Sequence, residues 1–272
     1  MIKQSLAKLL GPVKYQNSVS FVSDVYQSTF LPIKEPGMDI VRLLLQKGDT
    51  VCDVGANIGR FTGLAARKVG PEGRVFAFEP LEYPMRVLKT AARLRGWSQV
   101  VPVNLGLSSE PGMAQIHIPL QDGWKPKTAL AYLADKAQGP TVSQTIRLTT
   151  LDAFAQESRL SQIHFVKCDV EGSELSFLKG ASVCLAQWRP FLFMEIDPAF
   201  CARRGYGPDE LINLLAGLGY RAFARTGPLA LEEIFSVLQT APKDEYFFIA
   251  QNKIASLPKT IQIKTGENHE TR

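Results

Sequence analysis

No stretch of this 272-residue chain approaches the roughly 20 apolar residues that cross a bilayer, so no membrane span is expected. The N-terminus, MIKQSLAKLLGPV, lacks the long apolar run and small-residue cleavage site of a signal peptide; it reads as a short amphipathic helix. The four cysteines, Cys52, Cys168, Cys184 and Cys201, form no CxxC pair, and no histidine stands near one at metal-ligand spacing. That excludes a disulfide framework and a zinc ribbon, and it points to a reducing, cytoplasmic compartment. Charge is equally undramatic. The net charge of +5 is scattered along the chain, without the Lys/Arg clusters or interleaved aromatics of a nucleic-acid binder, so no nucleic-acid partner is expected. Internal repeats and long low-complexity segments are absent too. So is the pattern GxxxxGK[ST], which leaves ATP or GTP hydrolysis unsupported.

What is present is ordinary globular composition, 45% hydrophobic and 21% charged, in a chain long enough for one α/β domain with a sizeable core. Residues 1–47 read as an N-terminal helical cap, with a helix over MDIVRLLLQKGD and Gly48 as its stop. From there strands and helices alternate: TVCDVGA, RFTGLAARKV, RVFAFEP, YPMRVLKTAARLRG, VVPVNLGLS. Near-continuous apolar strands separated by helical patterns predict a parallel sheet buried on both faces. The pattern resumes with HFVKCDV, GSELSFLKGA, PFLFMEID and PDELINLLAGLG, and ends on the strands YRAFART and EYFFIAQN. Between the halves, MAQIHIPL and TVSQTIRLTTL predict a β-hairpin insertion at about 113–150, joined by a long polar connection of the kind that often serves as a lid. The expectation is one domain over 48–252 with seven core strands, followed by a polar tail at 253–272 that frays.

In open α/β sheets ligands bind beyond the carboxyl ends of the strands. Carboxylates collect there: Asp53 on the first strand, Glu79 ending the second, Asp169 and Glu171 after the fourth parallel strand, Glu195 on the fifth. Any one of them has a bland reading as a helix cap. The loop DVGANIG offers backbone N–H groups and a close approach, with Gly55 for the turn, Asn57 tolerant of unusual backbone angles, and Gly59 for tight helix packing. A dinucleotide loop, GxGxxG, counted from Gly55 needs glycine at 57 and 60, where Asn57 and Arg60 stand. Glu79, about 20 residues on, suits a ribose diol. That spacing serves NAD and S-adenosylmethionine (SAM) alike, and the absent glycines tilt the choice towards SAM.

VCDVGANIG, FAFEP, FVKCDVEGSELSFLKGA and FLFMEID together resemble the FkbM-type methyltransferases, a group within the class I SAM-dependent enzymes, over roughly residues 37–250. The resemblance implies a Rossmann-like seven-stranded sheet, helices on both faces, a last strand running antiparallel, SAM as methyl donor, and O-methylation of a sugar, glycan or polyketide-type hydroxyl. By the same resemblance, Gly55, Ala56, Asn57 and Gly59 line the SAM loop, Asp53 supports the methionine end, Glu79 and the adjoining Pro80 hold the ribose, and Asn104 neighbours the adenine. Asp169 and Glu171 fall where donor methyl meets acceptor. Asp169 is the candidate general base or hydroxyl-orienting group, and Glu195 is a second candidate.

The remaining polar residues have plainer readings. His117, His164 and His269 are read as structural or solvated, since His164 opens a strand at the wrong end and His269 lies in the tail. Ser173 and Glu174 open a short helix whose dipole favours an acid. Lys167 is read as strand-embedded and paired with a nearby acid. Trp124, Lys125 and Lys127 are either acceptor contacts or exposed loop residues. Asp169 and Glu195 could share a divalent cation, but no complete ligand set stands in the sequence and no metal is expected. Two other functions stay open at this level: an NAD(P)-dependent oxidoreductase, and a non-catalytic domain that binds SAM or another nucleoside. Oligomeric state is not legible.

Overall fold

The computed structural model describes residues 11, 14, 20–121, 125–133, 139–237 and 245–266. The amphipathic helix expected at the N-terminus, Trp124 and His269 lie outside them. Helices α1 (Phe21–Phe30) and α2 (Met38–Leu44) lead into β1 (Thr50–Val54), α3 (Arg60–Val69), β2 (Arg74–Phe78), α4 (Glu82–Leu94) and β3 (Val100–Val103). Next come β4 (Gly106–Leu107), β5 (Gly112–Gln121), β6 (Lys125–Pro126), β7 (Tyr132–Leu133), β8 (Thr141–Thr149) and α5 (Leu151–Glu157). The chain then runs through β9 (Phe165–Cys168), α6 (Glu174–Lys179), α7 (Ser182–Trp188), β10 (Phe191–Glu195), α8 (Pro198–Arg203) and α9 (Pro208–Gly217). Strands β11 (Tyr220–Gly227), β12 (Ala230–Ile234), β13 (Glu245–Ala250) and β14 (Gln262–Lys264) complete it.

The main sheet runs β14-β12-β11-β13-β10-β9-β1-β2-β3. Its centre, β3 to β10, is parallel, and β13 slots antiparallel between β10 and β11. The seven expected strands are therefore all in place, with the last one antiparallel. Two strands were not anticipated. β12 returns from β11 as a hairpin, and β14 pairs parallel with β12. The segment expected to fray after residue 252 thus contributes an edge strand, anchored by the buried Ile261. VVPVNLGLS also divides: β3 stays in the main sheet, whereas β4 leaves it to pair with β8 of the insertion. Gly48 does not stop α2. That helix ends at Leu44, and Gly48, at φ 83°, makes the turn into β1.

Alternation along the strands sorts side chains into two cores. Cys52, Val54, Phe76, Phe78, Val166, Leu192 and Met194 face α5, α6, α7 and α9, burying Leu151, Phe177, Leu185 and Leu211. Val51, Val75, Phe165, Phe193 and Phe247 face α2 and α3, burying Ile40, Val41, Phe61 and Leu64. The asymmetry of α3 and α4 matches this: Phe61, Leu64, Ala65, Val87, Leu88 and Ala91 are turned inward. α1 packs on α3 and α4. It is tied there by the Tyr83 hydroxyl, which donates to Asp24 at 2.5 Å, and by the Arg86 guanidinium over the Phe21 ring. The insertion packs its own small core, Ile116, Ile118, Ala131 and Ile146, against Leu81 at the start of α4. β5 and β8 form the expected hairpin, and β6 and β7 fold the polar connection back onto β5. Among the described residues no helix is long and apolar enough to cross a membrane.

At the α6–α7 junction the chain passes so close to the exit of β4 that a Cβ on Gly180 would lie 1.9 Å from the Ser108 carbonyl oxygen. Backbone cannot yield as a side chain does, so Gly180→Ala should cost about 2–3 kcal/mol of stability. Gly217, exposed in α9 with nothing near its missing Cβ, should gain about 0.5–1 kcal/mol as alanine. Urea unfolding of both variants measures the contrast, and equal midpoints would contradict it.

Candidate active site

The strand ends β1, β2, β3, β9 and β10 converge on one rim, and the tightest approach is at Gly55. Its φ is 77°, and a Cβ there would lie 1.8 Å from the Asp169 carbonyl oxygen. No other residue type fits both conditions. The Gly55 and Ala56 N–H groups donate to the Phe78 carbonyl at 3.1 and 2.9 Å, and Gly59 N–H closes the turn on the Ala56 carbonyl at 2.8 Å. Asn57 takes φ 48°, a left-handed geometry that asparagine tolerates. Its N–H donates to Glu79 Oε2 at 2.9 Å. Gly59 is also sterically required, because a Cβ would lie 2.9 Å from Leu88. From outside, the Ser28 hydroxyl of α1 donates to the Ile58 carbonyl and holds the tip of the loop.

Glu79 is 6% exposed. One oxygen takes the Asn57 N–H and the other takes the Leu81 N–H at 2.8 Å. Burial pushes its carboxyl up to about 7, against the pull of those two bonds. Each oxygen keeps a lone pair for a further donor, as a ribose diol would supply. Asn104 does not line the cavity; its carboxamide donates to the Glu79 and Pro80 carbonyls at 2.8 and 3.0 Å, bracing the same corner. Asp53 and Ala56 are also set back. Ala56 is packed in the core, and Asp53 is wholly buried, with Oδ2 accepting the Thr62 hydroxyl at 2.5 Å. Burial pushes the Asp53 carboxyl up, opposed by the Lys167 charge and the Thr62 bond.

A cavity of about 300 Å³ opens in front of this loop. Gly55, Asn57, Glu79 and Pro80 form one wall, and Asp169, Glu171 and Glu195 form another. The roof comes from the insertion: Ile116, Leu130, Ala131, Leu133, Ile146 and Leu148. None of these roof residues was singled out in the sequence, because their only signal is strand alternation. Glu171 sits at φ 51° in the turn after β9. Burial, then the charges of Asp169, Glu195, Glu174 and Asp197, push its carboxyl up to about 8. Asp169 is tied to Lys167, whose ammonium donates to Oδ2 at 2.8 Å.

Glu174 does something other than complement a helix dipole. It is 2% exposed, and it accepts the Gly172 and Val170 N–H groups at 3.1 and 3.3 Å and the Tyr206 hydroxyl at 2.9 Å. It therefore builds the turn that presents Glu171. Desolvation by burial pushes its carboxyl up. Tyr206 was not anticipated, since it reaches this turn from the loop after α8. His117 is buried against Ser143 at 2.7 Å and His164 takes the Thr50 N–H at 2.9 Å, both away from the cavity. Lys127 precedes the roof without lining it. Among the described residues no three of His, Cys, Asp and Glu converge as a metal site, and the four cysteines are buried and free.

The arrangement suits SAM. Asn57 lines the wall with a buried Oδ1 that has no hydrogen-bond partner, and the acidic rim favours a cation. A sequence profile of the Methyltransferase FkbM domain matches residues 53–222. Hexuronic acid methyltransferase AglP of Haloferax volcanii is 31% identical over 182 residues, covering 65% of this chain and 67% of that protein. The 31-O-demethyl-FK506 methyltransferase FkbM of Streptomyces tacrolimicus is 30% identical over 209 residues, covering 68% and 77%. The solved methyltransferase FkbM from Methylobacillus flagellatus KT aligns with a TM-score of 0.48 at 18% identity, over 80% of this chain and 48% of that one. This chain thus spans about half the length of that solved protein.

Glu171 holds its proton more tightly folded than unfolded, where its value is 4.5. Between about pH 4.5 and 8 the native state therefore binds more protons, and stability falls as pH rises through that window. The side chain is partly exposed, so screening trims the loss to about 1 kcal/mol, or roughly 2–4 °C of Tm. Glu171→Gln should flatten the decline, leaving the part due to Glu79. Thermal melts from pH 5 to 8 would contradict this if both proteins decline alike.

Proposed function

The chain belongs to the FkbM methyltransferase family and is a SAM-dependent methyltransferase, and on that premise we propose that it methylates a hydroxyl of a sugar, glycan or polyketide-type small molecule. The observation that carries the reading is the acidic wall of the cavity, where Asp169, Glu171 and Glu195 face the space in front of the Gly55 turn. Bound SAM supplies an electrophilic methyl group, and the acceptor hydroxyl must lose its proton as the new bond forms.

The carboxylates divide that work by their surroundings. Asp169 is held by a lysine ammonium at 2.8 Å, which fixes its carboxylate as a hydrogen-bond acceptor for the incoming hydroxyl. Glu171 is raised by burial and then by its acidic neighbours, and takes the proton. Glu195 lines the same wall and completes the field. Glu79, Asn57 and the glycines of the turn hold the nucleoside end. The apolar roof excludes water, so the reacting groups meet in fixed orientation, which is most of what a displacement of this kind asks of a protein.

Both curated relatives carry methyltransferase names that specify hydroxylated small molecules, a hexuronic acid in one case and demethyl-FK506 in the other. A panel of glycosides, uronates and polyketide alcohols, followed by release of S-adenosylhomocysteine (SAH), tests the acceptor class. Activity confined to amines or nucleic acid would end the proposal. On an active acceptor, Glu171→Gln should lower turnover about 10²–10⁴-fold, and Asp169→Ala should abolish turnover; both should leave SAM affinity nearly intact by calorimetry. Wild-type rate in either variant removes that residue from the mechanism. Turnover by the native chain should rise with pH through about 8, as Glu171 loses its proton.

A further inference from the structure

A lysine in the middle of a buried parallel sheet needs a reason. Lys167 lies on β9, between β1 and β10, opposite Asp53 on one side and Phe193 on the other. It is 9% exposed. Its ammonium has three donors and no acceptor. One reaches Asp169 Oδ2 at 2.8 Å and another the Gly55 carbonyl at 3.3 Å. Those two partners belong to different loops: Gly55 to the turn after β1, Asp169 to the rim after β9. We infer that Lys167 is a positioning residue for methyl transfer, tethering the cofactor turn and the acceptor-side carboxylate to one rigid point on the sheet. The inference rests on the reading of Asp169 as the group that orients the acceptor hydroxyl.

The charges around Lys167 support this role. Burial alone would strip its proton, but the carboxylates of Asp169 and Asp53 push its pKa up instead. Asp53 lies in register with it on β1, so the two side chains share one face of the sheet, and its buried Oδ1 has no hydrogen-bond partner. Asp53 thus acts through the lysine and keeps it charged, while Asp169 is presented in front. The other groups facing the pair are the buried Cys168 thiol, the Thr62 hydroxyl on Asp53, and Glu171 and Glu195 across the rim. Lys167 is the cation among them. Lose it, and nothing named here links the Asp169 carboxylate to the Gly55 carbonyl.

Lys167→Met isolates the effect, but it strands Asp53 as a buried carboxylate. The double variant Asp53→Asn/Lys167→Met removes both charges and keeps the test clear of misfolding. Calorimetry with SAH should show about tenfold or greater weakening in both variants, the scale of losing a charged hydrogen bond. On an active acceptor, kcat should fall about tenfold or more with acceptor KM nearly unchanged. Wild-type SAH affinity in both variants overturns the tether, whether or not an acceptor has been found. A lowered Tm with unchanged kcat and SAH affinity overturns it as well, since that is what a purely structural lysine would give. Wild-type turnover by Asp169→Ala would instead defeat the underlying reading of Asp169, and is told apart because Lys167 is intact in that variant.

Discussion

The contact on which the site depends is the passage of the Gly55 Cα beside the Asp169 carbonyl. Two parallel strands, β1 and β9, deliver their loops into the same gap, and a Cβ there would overlap the Asp169 oxygen at 1.8 Å. Because the gap is so narrow, the turn after β1 must bend back at once. Its N–H groups then fall on the Phe78 carbonyl and on Glu79. The same narrowness brings the Gly55 carbonyl within reach of Lys167, which holds Asp169 from the other side. One steric constraint thus sets the Gly55–Glu79 wall and the acidic wall of the cavity together.

Around that contact the protein arranges acids by what surrounds them. Glu79 is enclosed and tied to two backbone N–H groups. Glu174 is spent on building a turn. Asp169 is neutralised by a lysine, and Glu171 is left among like charges. Four carboxylates in four different environments can do different work, because an acid's proton affinity follows its neighbours and its burial more than its identity. The insertion then closes an apolar roof over the polar floor. Water exclusion and charge placement come from separate parts of the fold that meet only at the cavity.

Much of the fold was legible. Apolar strands in RVFAF, FVKC and FLFME, and helices in RFTGLAARKV and PDELINLLAG, form where the pattern put them. Strands β12 and β14 were not legible, since edge strands are short, half-polar and defined by pairing. Helices α7 and α8 were missed for a related reason. Each is only a turn or two long, held by Asp152 accepting the Val183 and Cys184 N–H groups and by Asp197 capping Ala199.

By itself the sequence determined the glycine turn after β1, the acid that ends β2 and the acids of the rim. Those features are local: a glycine, an asparagine and a strand-ending carboxylate carry their meaning within a few residues of chain. Only the tertiary structure decided which of them face the cavity. Asp53, Ala56 and Asn104 stand behind it, because strand register and loop bracing turn their side chains inward. Lys167, Tyr206, Ser28 and the roof of the insertion joined the site through contacts spanning from 30 to more than 100 positions of chain. No local pattern encodes such contacts, since they arise from how strands and helices pack.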